Sequence, residues 1–250
     1  MKRLVRHFSA GLLALSVAQF AHAATPHTVV LVHGAFADGS SWDRVIPKLQ
    51  ANNYQVIAVQ LPLTSLKDDV AATERAIARA QGDVVLVGHS WGGTVITEAG
   101  QDKKVKALVY VAAFAPDKGQ STAELADSYP APPGSAALAK TGDGFLYLPP
   151  EGLAKNFAPD LPAAQQKLLA VTQGPIRAAA FGDKVTQASW AQKPSWYLVS
   201  QQDRMINPSL ERAMAQKIHA HTREVAASHV SMLSQPDSVA QIIREAADAK

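Results

Sequence analysis

Val84-Val85-Leu86-Val87-Gly88-His89-Ser90-Trp91-Gly92-Gly93 is the stretch that decides how this chain folds. Its first four residues form an apolar run of strand length, and Thr94 to Ala99 continue it with a helix-like pattern. Ser90 therefore sits on a sharp strand-to-helix turn. The Gly-x-Ser-x-Gly spacing has a mechanical reason: the turn strains the serine backbone, and glycines two before and two after it let strand and helix pack closely. The hydroxyl then projects at the helix N-terminus, where unpaired N–H groups and the positive end of the dipole face a developing oxyanion. The same pentapeptide also occurs as a plain βα turn that needs only glycine, so its weight comes from the strand and helix on either side.

Outward from this turn, short β-branched runs alternate with helical patterns, the signature of βαβ units and a parallel sheet. The expected strands are Thr28 to His33, Gln55 to Gln60, Val84 to His89, Ala107 to Ala112, Trp196 to Ser200 and Thr222 to Ala226. Most are apolar on both faces, as strands covered by helices on both sides must be. The expected helices are Trp42 to Ala51, Leu66 to Ala80, Thr94 to Gln101, Ser209 to His219 and Pro236 to Ala247. The fold class is thus α/β, a mostly parallel sheet of about six strands with helices on both faces.

About 80 residues between Phe114 and Trp196 break this rhythm and show no convincing strand. So long a bare loop is rare inside a compact domain. Thr122 to Tyr129, Pro149 to Phe157, Pro162 to Gln173 and Ile176 to Ala180 read as short helices. They make a helical cap, about residues 117–193, inserted after the fourth strand and resting over the catalytic edge. A disordered proline-rich linker would leave Phe145, Leu146, Tyr147, Leu148, Leu168 and Leu169 with nowhere to be buried.

The N-terminus reads as an address rather than as fold. Lys2, Arg3 and Arg6 form a basic start, Phe8 to Ala21 an apolar run, and Ala21-His22-Ala23 a small-x-small cleavage signal. Residues 1–23 are expected to be a secretory signal peptide and 24–250 one domain, periplasmic or secreted. No later stretch approaches the roughly 20 apolar residues of a membrane span. The signal holds three of the 24 basic residues and none of the 21 acidic ones, so the remaining chain is balanced at 21 against 21. That balance gives no support for a nucleic-acid partner. Cysteine is absent, which removes disulfides, a thiolate nucleophile and thiolate metal sites together. With 47% hydrophobic and 18% charged residues, about 227 residues suffice for one large core.

A serine nucleophile needs a base, and elimination among the eight histidines leaves His229. His7 and His22 belong to the signal, and His27 precedes the first strand. His89 lies inside the turn and points away from the hydroxyl, while His219 and His221 close a helix among polar neighbours. His33 braces its own loop. His229 follows the last strand, although a buried structural histidine is also compatible with that place. The acid that orients it is Asp203, after the penultimate strand, because loops at the carboxyl ends of parallel strands converge on one edge. Asp117 competes for that role; Asp38 and Asp43 read as helix-start or loop residues. For the oxyanion, His33-Gly34-Ala35-Phe36 supplies a donor, Ala35 N–H, beside Trp91 N–H, with Phe36 N–H as the alternative. Ser40 and Trp42 either shape the entrance or pack.

With His33-Gly34, the Gly88 to Gly93 turn, Asp203 and His229 in place, the chain from about Thr28 onward resembles the α/β-hydrolase superfamily. The chain order Ser, Asp, His is the one found there. The short N-terminus and the run Val109 to Phe114 are similar to the compact branch of bacterial esterases, plant methylesterases and hydroxynitrile lyases. The resemblance implies a serine hydrolase with Ser90, His229 and Asp203 as its triad, needing no cofactor and no metal, and acting on a small-molecule ester. Hydroxynitrile lyases of this type carry threonine and lysine where this chain has Gly34 and Val230, which favours ester hydrolysis. A cofactor-free perhydrolase or haloperoxidase, a C–C hydrolase or lyase, and a non-catalytic ligand-binding scaffold are the rival readings. Phe145, Tyr147, Phe157, Phe181 and Trp190 either line an apolar pocket or fill the core of the cap.

Overall fold

A computed structural model describes residues 28–249, so the expected signal at 1–23 lies outside the described residues. Its strands are β1 (Thr28–Val32), β2 (Gln55–Ala58), β3 (Val84–Ser90), β4 (Val105–Ala113), β5 (Ala139–Lys140), β6 (Phe145–Tyr147), β7 (Ile176–Arg177), β8 (Ser195–Ser200) and β9 (His221–Val225). Six of them form one sheet in the order β2-β1-β3-β4-β8-β9, parallel at every pairing. The helices are α1 (Ile46–Gln50), α2 (Leu66–Arg79), α3 (Trp91–Ala99), α4 (Thr122–Asp127), α5 (Pro150–Gly152), α6 (Ala163–Thr172), α7 (Pro208–Lys217), α8 (Ser231–Ser234) and α9 (Pro236–Asp248). None is long and apolar enough to cross a membrane.

The sequence explains these elements locally. All residues of β1 and β3 are buried, as their apolar runs require of central strands covered on both faces. The two edge strands differ: β2 has no fully buried residue, and β9, His-Thr-Arg-Glu-Val, is largely exposed. Helix α2 starts where the Ser65 hydroxyl caps Asp68 N–H, with Asp68 and Asp69 at the positive end of its dipole. Helix α9 opens on Pro236 and buries Val239, Ala240, Ile242, Ile243, Ala246 and Ala247 in one helical stripe. Each buried Val or Ile there stabilises by about 1.5–3 kcal/mol. The half-exposed pair between Glu245 on this helix and Arg223 on β9 contributes about 1 kcal/mol at most. Apolar packing, not charge, seats α9.

Three expectations need correction. The helix expected over Trp42 to Ala51 is a 3-10 turn (Gly39–Trp42) followed, after a break, by the short α1, because Pro47 is tolerated only in a first turn. The helix after the serine starts at Trp91, not Thr94. Between β4 and β8, α4, α5 with its π turn (Leu153–Phe157) and α6 match expected helices, but Ile176–Arg177 is a strand. It pairs antiparallel with β6, which pairs with β5, making a small three-stranded sheet. Strands of two or three residues carry no readable period, and β7 lies about 30 residues along the chain from its partner β6.

Candidate active site

The chain passes from β1 to β2 on one side, then returns to β3 on the other, so the order reverses around β1. In open α/β sheets the crevice outside such a reversal is where ligands bind. Ser90 ends β3 there, with φ 53° and ψ −121°, a left-handed conformation that costs a non-glycine residue on the order of 1–3 kcal/mol. Space around it is reserved by glycine: a Cβ on Gly88 would lie 2.5 Å from Gly92 O, and one on Gly92 would lie 2.5 Å from Val32 O. The elbow glycines thus serve close packing, as the spacing indicates.

His229 follows β9 and is buried, and its Nδ1 lies 2.5 Å from Asp203 Oδ2. Asp203 Oδ1 accepts Met205 N–H at 2.6 Å and Ile206 N–H at 2.9 Å, which fixes the carboxylate. Asp117 lies elsewhere, in a surface pair with Lys217 at 3.1 Å, so the geometry brings only Asp203 to His229. Ser90 Oγ makes no hydrogen bond to His229 among the described residues, but both line one cavity. Catalytic hydrogen bonds are often loose before substrate enters.

The loop after β1 crosses Ser90 closely. A Cβ on Gly34 would lie 2.6 Å from Ser90 Cβ, so this glycine is required by space rather than by its dihedral angles. Leu61 N–H donates to His33 Nε2 at 3.0 Å, which leaves the proton on Nδ1 to donate to Gly34 O at 2.8 Å. Burial holds His33 below the ordinary histidine range, in keeping with a neutral brace. Ala35 and Trp91 N–H groups have no partner among the described residues. The alternative donor is overturned: Phe36, at φ 60°, already donates its N–H to Gly174 O at 3.1 Å. Ser40 is exposed at the 3-10 turn capped by Asp38, and Trp42 is packed in the core.

The cavity holds about 220 Å3 and is lined by Ala35, Phe36, Ser90, Phe114, Thr122, Ala123, Ala126, Ser135, Leu138, Phe181, Met205, Ile206 and His229. Larger recesses, about 370 Å3 beside Arg204 and about 650 Å3 beside Lys184, contain neither Ser90 nor His229. Chemistry, not volume, selects the site. Of the aromatics weighed above, Phe181 reaches the cavity, while Phe157 packs edge-on against His229 at 5.3 Å. Trp190 donates to Pro116 O, and Phe145 lies under Arg177.

Several contributors are not visible in the motifs. His89 is fully buried, and its Nε2 donates to His229 O at 2.9 Å, so it braces the loop of the expected base. Burial, and then the neighbouring His229, hold His89 far below the ordinary range. Asp160, from the insertion, accepts Ser228 N–H at 2.8 Å and the Ser228 hydroxyl at 2.5 Å, latching the residue before His229. Asp69 accepts Trp91 Nε1–H at 2.7 Å and Leu63 N–H at 2.8 Å. Burial pushes its carboxyl up to about 6 despite those two donors. Its one sequence signal was an acid on the apolar face of α2, in step with Thr73 and Ala76.

Comparison with known proteins agrees with the fold. The probable hydrolase R7 of Phoma sp. is 25% identical over 249 residues, covering 88% of this chain and 97% of that protein. The alpha/beta hydrolase nvfD of Aspergillus novofumigatus is 28% identical over 250 residues, covering 88% and 96%. The crystal structure of a pyrethroid hydrolase from Sphingobium faniae JZ-2 superposes with a TM-score of 0.76 at 22% identity, over 90% of this chain and 98% of that one, a likeness of fold. A model of the alpha/beta hydrolase family matches residues 29–242, and the chain belongs to that family.

Proposed function

We propose that this protein is a carboxylic-ester hydrolase working through Ser90, His229 and Asp203. The observation that carries the reading is the buried His229–Asp203 pair at 2.5 Å, opening with Ser90 onto one apolar cavity. Ser90 attacks the ester carbonyl while His229 Nε2 takes its proton. Asp203 keeps the other ring proton on Nδ1 and balances the imidazolium. Ala35 and Trp91 N–H groups face the tetrahedral oxygen, a contact worth about 3–4 kcal/mol per donor in comparable sites. His229 then protonates the leaving alkoxide, and water repeats the cycle to release the acid.

The cavity lining has no charged side chain apart from the reacting groups, which suits a small neutral ester. Val230, buried and apolar, offers nothing to hold cyanide, which argues against cyanohydrin cleavage. Two relatives that span most of the chain are named as hydrolases, in line with hydrolysis. A fluorophosphonate probe tests the reading: it should label the wild type and leave Ser90→Ala unlabelled. Equal labelling of both, or none of either, refutes it. Export rests on residues 1–23 alone, and fractionation of cells expressing the full chain should find the protein outside the cytoplasm.

A further inference from the structure

Behind Asp203 lies a second carboxyl group that the mechanism above leaves unused. Glu211, on α7, is fully buried. Its Oε2 accepts Ser200 N–H at 2.9 Å, its Oε1 has no partner among the described residues, and Ser200 O in turn accepts Asp203 N–H at 3.1 Å, so Ser200 joins the two acidic residues. The charged or titratable groups facing it are Asp203 on the loop after β8, Tyr197 on β8 and Arg212 on α7. Arg212 is no counter-ion: its guanidinium turns outward to grip Glu224 at 2.9 and 2.7 Å. The Tyr197 hydroxyl donates to Ala113 O instead.

Two neighbouring, buried carboxyls with no cation between them are not both ionised, because the second charge lacks both solvent and partner. The donors decide which one keeps the charge. Asp203 receives three N–H groups, from Met205, Ile206 and His229, whereas Glu211 receives one. The charge stays on Asp203 and the proton on Glu211. Burial first, and the Asp203 charge second, accordingly push Glu211 well above the ordinary carboxylate range.

We propose that Glu211 is a positioning residue, a neutral acid whose carboxyl proton is donated to Asp203 and holds the carboxylate that orients His229. Its kinetic consequences rest on the ester-hydrolase reading above. Glutamine keeps the size and the donor, so Glu211→Gln should retain kcat/KM within about threefold and leave the acidic limb of the kcat/KM–pH profile in place. An ionised Glu211 would put a second negative charge behind the imidazole. Glu211→Gln would then move that limb to lower pH, which overturns the proposal. Glu211→Leu removes the donor and should lower kcat by up to about a hundredfold with KM little changed; unchanged kcat in a folded Glu211→Leu overturns it too.

Infrared spectroscopy of the wild type needs no turnover and does not depend on Glu211→Leu folding. At about pH 8, above the value of about 6 for Asp69, the wild type should show the carbonyl stretch of a protonated carboxylic acid, missing in Glu211→Gln. Its absence from the wild type refutes a neutral Glu211 even in an active enzyme. Failure of the hydrolase reading shows separately, as absence of fluorophosphonate labelling at Ser90.

Discussion

Gly34→Ala puts one methyl group between the two halves of the crevice at Ser90. Its Cβ would lie 2.6 Å from Ser90 Cβ, 3.0 Å from His89 Nδ1 and 3.1 Å from His89 O, where ordinary contact begins at 3.4 Å. The Gly34–Ala35 loop and the elbow are then about 0.8 Å too close, the difference between 3.4 and 2.6 Å. None of these neighbours is the free end of a flexible chain. One element must retreat, and either retreat widens the gap between Ser90 and Ala35 N–H. A displacement near 1 Å at a reacting centre costs about a hundredfold in rate. Overpacking costs about 1–3 kcal/mol of stability, roughly 2–12 °C in Tm for a chain of this size. The assay is kcat/KM on p-nitrophenyl acetate beside the fluorophosphonate labelling rate and a thermal melt. Gly142→Ala is the control, since a Cβ there meets nothing within 4 Å. Gly34→Ala with kcat/KM within about threefold of wild type refutes the steric argument.

Asp203→Asn keeps an acceptor for Met205 and Ile206 but no longer holds the ring proton on Nδ1, and kcat at neutral pH should fall on the order of 10⁴-fold without loss of fold. Asp160→Ala unfastens Ser228; with Asp160 exposed, about 1 kcal/mol is lost, and hydrogen exchange at Ser228 to Val230 should quicken while the sheet stays protected. Burial raises Asp69 from 3.8 to about 6, so its contribution to stability is complete below the lower value and disappears as pH rises through the upper one. The wild type should therefore lose Tm relative to Asp69→Asn across that interval, and parallel Tm–pH curves would contradict it.

The serine was legible because everything that strains it is local: an apolar strand, two glycines and a helix within about fifteen residues. The pairing of His229 with Asp203 was legible by elimination and by the convergence of parallel strand ends, even though 26 residues separate them. What stayed hidden is set by contacts that composition and period do not encode. Phe36 reads as a free donor until Gly174, in the insertion, arrives to accept its N–H. His89 reads as turned away from the chemistry, yet it reaches across 140 residues to His229 O. Glu211 follows the rhythm of an amphipathic helix, and nothing in that rhythm says that the buried wall beside it carries a second carboxylate.

The hydrogen bonds from Ser228 to Asp160 bear on how such an enzyme diversifies. Substrate range is most simply altered by exchanging the segment between β4 and β8 for that of a relative, since Phe181, Leu138 and Thr122 all come from it. In this protein that segment also anchors the loop that carries His229. A transplanted segment without an acceptor at the place of Asp160 changes the pocket and loosens His229 in the same step, so a chimera can bind its new substrate well and turn it over slowly. Domain exchange here calls for a matched pair of residues, one on each side of the junction.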